Sequence, residues 1–442
     1  MHEAIGVDVF AGGLSVGVQR HFHVPAHFEH SDYGSSVVRL NHPDIVLHNH
    51  PSIWPRAPRY PGQKTRTRFI FANPPCAPFS SASAGRATAW HEDPRIQMFY
   101  DSMELLPQIE PDVMAIESVT NAWTKDATFG KGLAKRAAGH GYATTVLLHN
   151  AQWLGVPQIR KRVFYVFHKI AVSWAEPDYD RQVSVREAWK GLKIPASSKK
   201  TWDASLHKHH QEMGPLTKPG ENCAKVFDRV YPNPKLGDRG QVLGRPSFLI
   251  RRLHLDKPSP VVIGDRCLIH PTETRSLYPE ETAALVGFPH DYRWPPEVNL
   301  DKLQRMMSQG VSPLVGEWLA AGVAASIDRN KRINRPFLAV RDEREAPGGY
   351  AVLDESPGDW DGSLPALPPV EERPTREPRP TVARAPGSSR PGSGARIREL
   401  LVAGKAAAEI LPIIHTEFPG SKATASDVAW NRGRLRKEGV RV

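Results

Sequence analysis

Cysteine is scarce in this chain: 442 residues contain three, Cys76, Cys223 and Cys267. They lie far apart and form no CxxC pair. That argues against a disulfide framework and against a structural zinc site, and fits a reducing cytosol. No uninterrupted apolar run approaches the roughly 18 to 20 residues that a bilayer-crossing helix needs, so no membrane association is expected. A basic segment followed by an apolar one is also missing from the start of the sequence. No signal peptide is therefore expected, and the cytoplasm is the expected location. There is no Gly-Lys-Ser/Thr phosphate cradle, which disfavours ATP as a ligand. Acidic residues are outnumbered, 47 to 58, giving a net charge of +11 and a pI near 9.5. The excess points to a polyanionic partner and favours nucleic acid without identifying one.

The most informative stretch present is Ala72-Asn73-Pro74-Pro75-Cys76-Ala77-Pro78-Phe79-Ser80. It follows Arg68-Phe69-Ile70-Phe71, an apolar run that reads as a buried strand, and its Pro-Pro pair can continue neither a strand nor a helix. A cysteine on a stiff turn at the carboxyl edge of a sheet stands where doubly wound α/β proteins place their chemistry. The plainer reading of Cys76 is a small buried hydrophobe. Upstream, Ile5-Gly6-Val7-Asp8-Val9-Phe10 reads as a strand breaking into Ala11-Gly12-Gly13, with a helical pattern running from Val16 and Val18 towards Phe22. Glycines there let a ligand approach the backbone at a helix start. Pro25-Ala26-His27-Phe28-Glu29 reads as the next strand, and Glu29 stands near the spacing at which an acid reaches ribose hydroxyls. Equally, Glu29 is readable as a solvated strand end.

Apolar residues at Ile96, Phe99, Met103, Leu106 and Ile109 predict a helix, and Val113-Met114-Ala115-Ile116 a buried strand leading to Glu117. Cys76 and Glu117 are thus expected just past the ends of parallel strands, facing one crevice. A helix around residues 132–140 and strands over 144–148 and 163–167 follow. Arg160 and Arg162 immediately precede the last of these, either as surface charge or as donors to a base or phosphate.

In this order the motifs resemble those of the DNA cytosine-5 methyltransferase family, over roughly residues 4–328. Asp8-Val9-Phe10-Ala11-Gly12-Gly13 resembles its cofactor loop, Glu29 its ribose-binding acid and Pro74-Pro75-Cys76 its nucleophile motif. Glu117-Ser118-Val119 is similar to its Glu-Asn-Val, and Gln158-Ile159-Arg160-Lys161-Arg162 to its Gln-x-Arg-x-Arg. Residues 275–289 and Gln309-Gly310-Val311-Ser312-Pro313 resemble its last two motifs. The resemblance implies a Rossmann-like fold, S-adenosylmethionine as cofactor, no metal, and double-stranded DNA as partner. Phe10, Ala11, Gly12, Gly13, Glu29 and Pro74 would then hold the cofactor, and Cys76, Glu117, Arg160 and Arg162 would carry catalysis. The implied reaction is methyl transfer to C5 of cytosine through a covalent Cys76–C6 adduct on a flipped-out base. Glu117 would neutralise N3 and Arg162 would hold O2, with Arg160 supporting the site or a phosphate.

The chain departs from the family pattern in places. The glycine loop is shorter, Ser118 replaces the motif's asparagine, Ala77 follows the cysteine, and Val311-Ser312 replaces the asparagine of the last motif. The expected organisation is a catalytic domain over residues 1–169, a small irregular target recognition region over 170–255, and the rest of the catalytic domain over 256–337. A Pro-rich disordered linker over 338–394 and a small all-helical module over 395–442 complete it. Lys199, Lys200, His207, Lys208, His209, Arg245, Arg251 and Arg252 suit phosphate contacts in the recognition region. Arg432, Arg434, Arg436 and Lys437 give the last expected helix a basic face, as in helix-turn-helix modules. A phage or host-defence modification methylase, alone or beside a restriction partner, would suit this layout. One chain holds a complete site, so a monomer is expected and an oligomer is open.

Two other readings compete: a catalytically impaired homologue that binds or regulates DNA, and the same chemistry on RNA or with a modified donor. DNA carrying 5-fluorocytosine separates an enzyme from a binding protein. A working enzyme is expected to be trapped as a denaturation-resistant complex, because fluorine cannot leave as the C5 proton does. A purely reversible gel shift would contradict catalysis.

Overall fold

A computed structural model describes residues 1–49, 67–80, 90–206, 211–234, 242, 244–247, 249–264, 267–345, 349–353, 393–403, 405–417, 428, 431 and 435. Two compact units divide the chain, Met1–Pro365 and Ala366–Val442.

The first unit is built on strands β1 (His2–Val7), β2 (Phe22–Glu29), β3 (Val46–Asn49), β4 (Thr67–Ala72), β5 (Val113–Val119), β6 (Ala143–Asn150) and β7 (Lys161–His168). A two-stranded ribbon, β8 (Arg251–Arg252) with β9 (Leu268–Ile269), stands apart from them, and β10 (Leu338–Glu343) and β11 (Gly349–Leu353) complete the main sheet. Among the described residues that sheet has nine strands in the order β11-β10-β6-β7-β5-β4-β1-β2-β3. From β3 across to β5 the strands are parallel, while β7 runs antiparallel to both β5 and β6.

Alternation along each strand sends side chains to two cores. Phe69 and Phe71 of β4 face one core with Val113, Phe164 and the helices Gly13–Val18 and Pro313–Arg329. Ile70 and Ala72 face the other, with Phe99, Leu106, Phe129 and Leu133 from helices Gln97–Met103, Leu105–Ile109 and Thr128–Ala138. Both faces are covered, as the doubly wound reading requires.

Several details differ from expectation. Helix Gly13–Val18 ends before Phe22, which opens β2 instead of closing the helix. The expected linker does not begin at 338, because β10 pairs with β6 and β11 with β10. Within that linker, residues 346–348 and 354–392 lie outside the described residues, and its last two residues open helix Ser393–Val402. The recognition region also overlaps its neighbours. Trp174 packs in the main core and donates to Leu319 O, while the small core of Leu206, Met213, Cys223, Phe227 and Ile250 draws Ile269 from beyond residue 255. Segment Leu300–Arg329 is apolar enough by composition to cross a membrane, but 67% of its most apolar window is buried in the protein. Gly310 to Ser312 break it into two helices.

In the second unit, helices Ser393–Val402 and Ala407–Glu417 pack Ile397, Leu400, Leu401, Ile410 and Ile414 around Val428 and Leu435. The basic positions expected on the last helix lie outside the described residues.

Helix Gly13–Val18 lies so close to Pro313–Arg329 that a Cβ on Gly17 would sit 2.1 Å from Pro313 O and 2.3 Å from Glu317 N. Gly17→Val is expected to lower stability by about 1–3 kcal/mol through forced separation of the helices. Gly132→Ala, where a Cβ meets open space in helix Thr128–Ala138, should raise stability by up to about 1 kcal/mol. Urea midpoints of the two variants check both directions.

Candidate active site

The switch in strand order lies between β1 and β4, where doubly wound sheets open a crevice. Asn73 extends β4 by donating its N–H to Val7 O at 3.0 Å, and the two prolines, which have no N–H, end the pairing. Cys76 follows in the sparsely allowed bridge conformation (φ −80°, ψ 2°), half-buried, and its carbonyl accepts Phe79 N at 3.1 Å. Phe79 anchors the loop by packing on Trp90, Phe99 and Phe129. Asn121 Nδ2 donates to Phe79 O at 3.1 Å. An amide thus fastens the cysteine loop from position 121, although position 118 carries only a serine.

Glu117 lies inside β5, not beyond its end as expected, and is 1% exposed. Its Oε2 accepts Asn73 Nδ2 at 2.7 Å, and its Oε1 lies 3.2 Å from Arg162 Nε. The antiparallel sense of β7 explains how Arg162 arrives. The strand's start, not its end, stands at the carboxyl edge, so Arg162 is in register with Val119. Burial pushes the Glu117 carboxyl up, opposed by Arg162, Arg160 and the Asn73 hydrogen bond. Burial and Glu117 push the Cys76 thiol up as well, with Arg162 and Arg160 pulling it down. A thiol, a carboxyl and two guanidiniums therefore share one electrostatic environment. Burial there favours the neutral forms of both Glu117 and Cys76, and the two arginines oppose it.

Arg160 is 2% exposed, which rules out a phosphate contact in this arrangement. Its Nη2 donates to Ser308 O (2.7 Å) and Gly310 O (2.9 Å), and its backbone N–H donates to Asn150 Oδ1. It ties the chain before helix Pro313–Arg329 to the sheet and supports the site. Arg252 is corrected in the same way. It is 6% exposed and donates to the carbonyls of Thr217, His270, Glu273 and Gly214, forming the hub of the small lobe. Arg245 pairs with Asp228. His207, Lys208 and His209 lie outside the described residues.

The glycine loop is held by protein. Asp8 (φ 53°) and Phe10 (φ 49°) take left-handed conformations that are costly for non-glycine residues. Phe10 N donates to Glu29 Oε2 and Ser31 N to Glu29 Oε1, both at 2.9 Å. Tyr292 Oη donates to Ala11 O at 2.7 Å. A Cβ on Gly13 would lie 2.3 Å from Val311 O, and one on Gly12 2.7 Å from Tyr292 Oη. The glycines expected to admit a ligand thus admit residues 292 and 311 of the chain itself. Glu29 is fully buried, not a solvated strand end, and burial with Asp8 alongside pushes its carboxyl up. Asp8 Oδ1 bonds His30 Nδ1 at 2.7 Å, while Asp8 Oδ2 is buried without a partner. Pro74 is buried beside this loop's strand partner.

Sequence reasoning missed Asn73, Asn121 and His149. The first was visible as a polar residue between a buried strand and two prolines. His149, next to last in β6, lies opposite Arg162, is stacked on Phe164, and has neither ring nitrogen hydrogen-bonded. Asn73 Oδ1, Glu117 Oε1, Arg160 Nη1 and Arg162 Nε are likewise buried without hydrogen bonds. Such a concentration of unsatisfied groups marks a place built for a polar ligand.

The sequence profile of the C-5 cytosine-specific DNA methylase family matches residues 6–324. The chain is 27% identical over 337 residues to the type II methyltransferase M1.HphI of Haemophilus parahaemolyticus, covering 72% of this chain and 86% of that protein. With M.DdeI of Desulfomicrobium norvegicum it shares 23% over 320 residues, 62% of this chain and 76% of the relative. Among solved structures, a prophage-encoded Escherichia coli protein described as a DNA modification methyltransferase aligns with TM-score 0.51 and 18% identity. That alignment covers 74% of this chain and all of the other. Entamoeba histolytica EhMeth aligns with TM-score 0.51 and 13% identity, over 74% of this chain and 99% of that one. At these identities the structures support the fold.

His149 allows a pH test. Burial, with Arg162 and Arg160 adding, holds it neutral, its pKa pushed down to about 3. Stability from such a depressed group is complete above the unfolded value near 6.5 and is lost as pH falls below it. The loss is about 1.4 kcal/mol per pH unit. His149→Leu is expected to be the more stable protein at pH 7.5, and its advantage in urea unfolding to widen between pH 6.5 and 5. A constant gap would show that His149 ionises or finds a partner within the fold.

Proposed function

The chain belongs to the C-5 cytosine-specific DNA methylase family and is a DNA (cytosine-5)-methyltransferase; from that premise we propose how its own residues divide the work. Cys76 is the nucleophile. Its thiolate adds to C6 of the target cytosine, and the electron pair of the C5=C6 bond moves to make C5 nucleophilic. Glu117, neutral in its buried setting, gives or shares a proton at N3 as charge develops there. Arg162 donates to O2 while also lowering the cost of the thiolate. Arg160 acts through position, locking residues 308–310 against the sheet. Loss of the C5 proton then returns its electron pair to the ring, breaks the C6–S bond and frees Cys76. Because the sulfur approaches above the ring plane, the base must leave the helix stack.

Family membership implies S-adenosylmethionine-dependent transfer. The residues at the end of β1 fit that cofactor. The unpartnered Asp8 Oδ2 is a free acceptor, and each oxygen of Glu29 keeps a lone pair beyond its backbone bond. We assign the ribose to Glu29, with Phe10, Ala11, Gly12, Gly13 and Pro74 shaping the pocket. When bound, the cofactor supplies an electrophilic methyl group for C5.

The double-stranded form of the DNA, recognition through residues 170–255 extended to Ile269, and an auxiliary DNA contact by the C-terminal unit are parts of this proposal. They rest on the basic excess and on the order of the segments. The type II names of the relatives favour a modification enzyme. The observation that carries the proposal is the joint placement of Cys76, Glu117 and Arg162 at one sheet edge.

Transfer of labelled methyl from S-adenosylmethionine to unmethylated double-stranded DNA tests it. Label on C5 of cytosine is expected with the natural chain and none with Cys76→Ala, and sequencing the product gives the recognition site. Equal transfer by both chains would remove Cys76 from the chemistry.

A further inference from the structure

Asn73 is 1% exposed, three residues before Cys76, and its side chain is half satisfied. The amide nitrogen donates to Glu117 Oε2 at 2.7 Å, whereas Oδ1 is buried with no hydrogen-bond partner. The Glu117 Oε2 oxygen, accepting this bond, requires the nitrogen, not the oxygen, of the amide to face it. The planar amide therefore turns Oδ1 away from Glu117. An acceptor left dry in this way costs stability unless a donor arrives to meet it.

Cytosine supplies the matching donor. Its pairing edge presents an acceptor at O2, an acceptor at N3 and a donor in the exocyclic 4-amino group. Arg162 is a donor, and a neutral Glu117 is a donor through its unbonded Oε1. Glu117 Oε2 is committed to Asn73. The edge also presents the amino group as a donor, which a backbone carbonyl or a side-chain oxygen can accept. Among the described residues, the orphaned acceptor carried on a side chain bonded to Glu117 is Asn73 Oδ1.

Resting on the mechanism above, we propose that Asn73 is a specificity-determining residue, its Oδ1 accepting a hydrogen bond from the 4-amino group of the flipped cytosine. One side chain then performs two tasks. Its nitrogen aims Glu117 at N3, and its oxygen reads the group that distinguishes cytosine from uracil or thymine. A base bearing an oxygen at position 4 would set acceptor against acceptor here.

The test uses the full chain and duplexes carrying the site found by sequencing, with 5-fluorocytosine or 5-fluoro-2-pyrimidinone at the target. These bases differ only in the 4-amino group, so intrinsic reactivity cancels when the ratio of their trapping rates is compared between proteins. Asn73→Ala is expected to slow trapping of the aminated base about tenfold more than that of the other, the worth of one hydrogen bond. Asn73→Asp, which fills the same volume and keeps an acceptor, is expected to slow both while holding the ratio within about threefold of the natural chain. A ratio unchanged by Asn73→Ala would reduce Asn73 to a support for Glu117 and overturn the inference. Collapse of the ratio in Asn73→Asp would do the same. Absence of trapping with either base in the natural chain would instead contradict the covalent mechanism itself, so the two failures are distinguishable.

Discussion

A carboxyl group held out of water beside guanidinium groups and a thiol is the constraint on which the catalytic edge depends. Glu117 is almost fully buried, and burial raises the cost of its ionised form. Arg162 and Arg160 work the other way on both Glu117 and Cys76. Burial still carries both groups above their ordinary values, and the arginines limit that rise. Neither group could be tuned like this on an open surface, where water would screen the arginines from both. The sheet supplies the enclosure. Reversal of β7 brings the arginines to the edge where parallel β4 and β5 deliver Asn73, Cys76 and Glu117.

A second constraint is close packing around the glycine loop. Gly12, Gly13 and Gly17 let Tyr292, Val311 and Pro313 approach to distances that a side chain would forbid. The last segments of the catalytic unit thereby reach back to its first. Arg160 adds another tie to the same segment through Ser308 O and Gly310 O. The strained φ angles of Asp8 and Phe10 persist because Glu29 and Tyr292 hold the loop. A short loop fastened at so many points keeps its shape without the additional glycines of the family pattern.

Much of this was legible in the sequence because strands buried on both faces read as continuous apolar runs. Residues 69–72, 113–116 and 163–167 read as strands for that reason, and the motifs put Cys76, Glu117 and Arg162 at their ends. The antiparallel sense of β7 was not legible, since periodicity carries no direction. Strands β10 and β11 were missed because Pro, Arg, Glu and Gly around them dilute the apolar signal that pairing with β6 supplies in the fold. In the sequence Arg252 reads as phosphate-binding charge, and Arg160 as surface charge, a phosphate donor or a support for the site. Their burial follows from carbonyl oxygens contributed by distant segments, which no local window contains. Asn121 escaped notice because its role depends on where Phe79 O lies in space. The same holds for Asn73 and Glu117, 44 residues apart in sequence and 2.7 Å apart in the site.

The central claim is that Glu117 works as a neutral acid beside the Cys76 thiolate. The most direct measurement is the single-turnover rate of methyl transfer against pH for the natural chain and Glu117→Gln. The account predicts a rate for Glu117→Gln about 10²–10⁴-fold lower, the usual worth of a positioned acid. It also predicts that the fall in rate at high pH, where Glu117 loses its proton, disappears in the variant. A Glu117→Gln protein with nearly the natural rate and the same alkaline limb would contradict it.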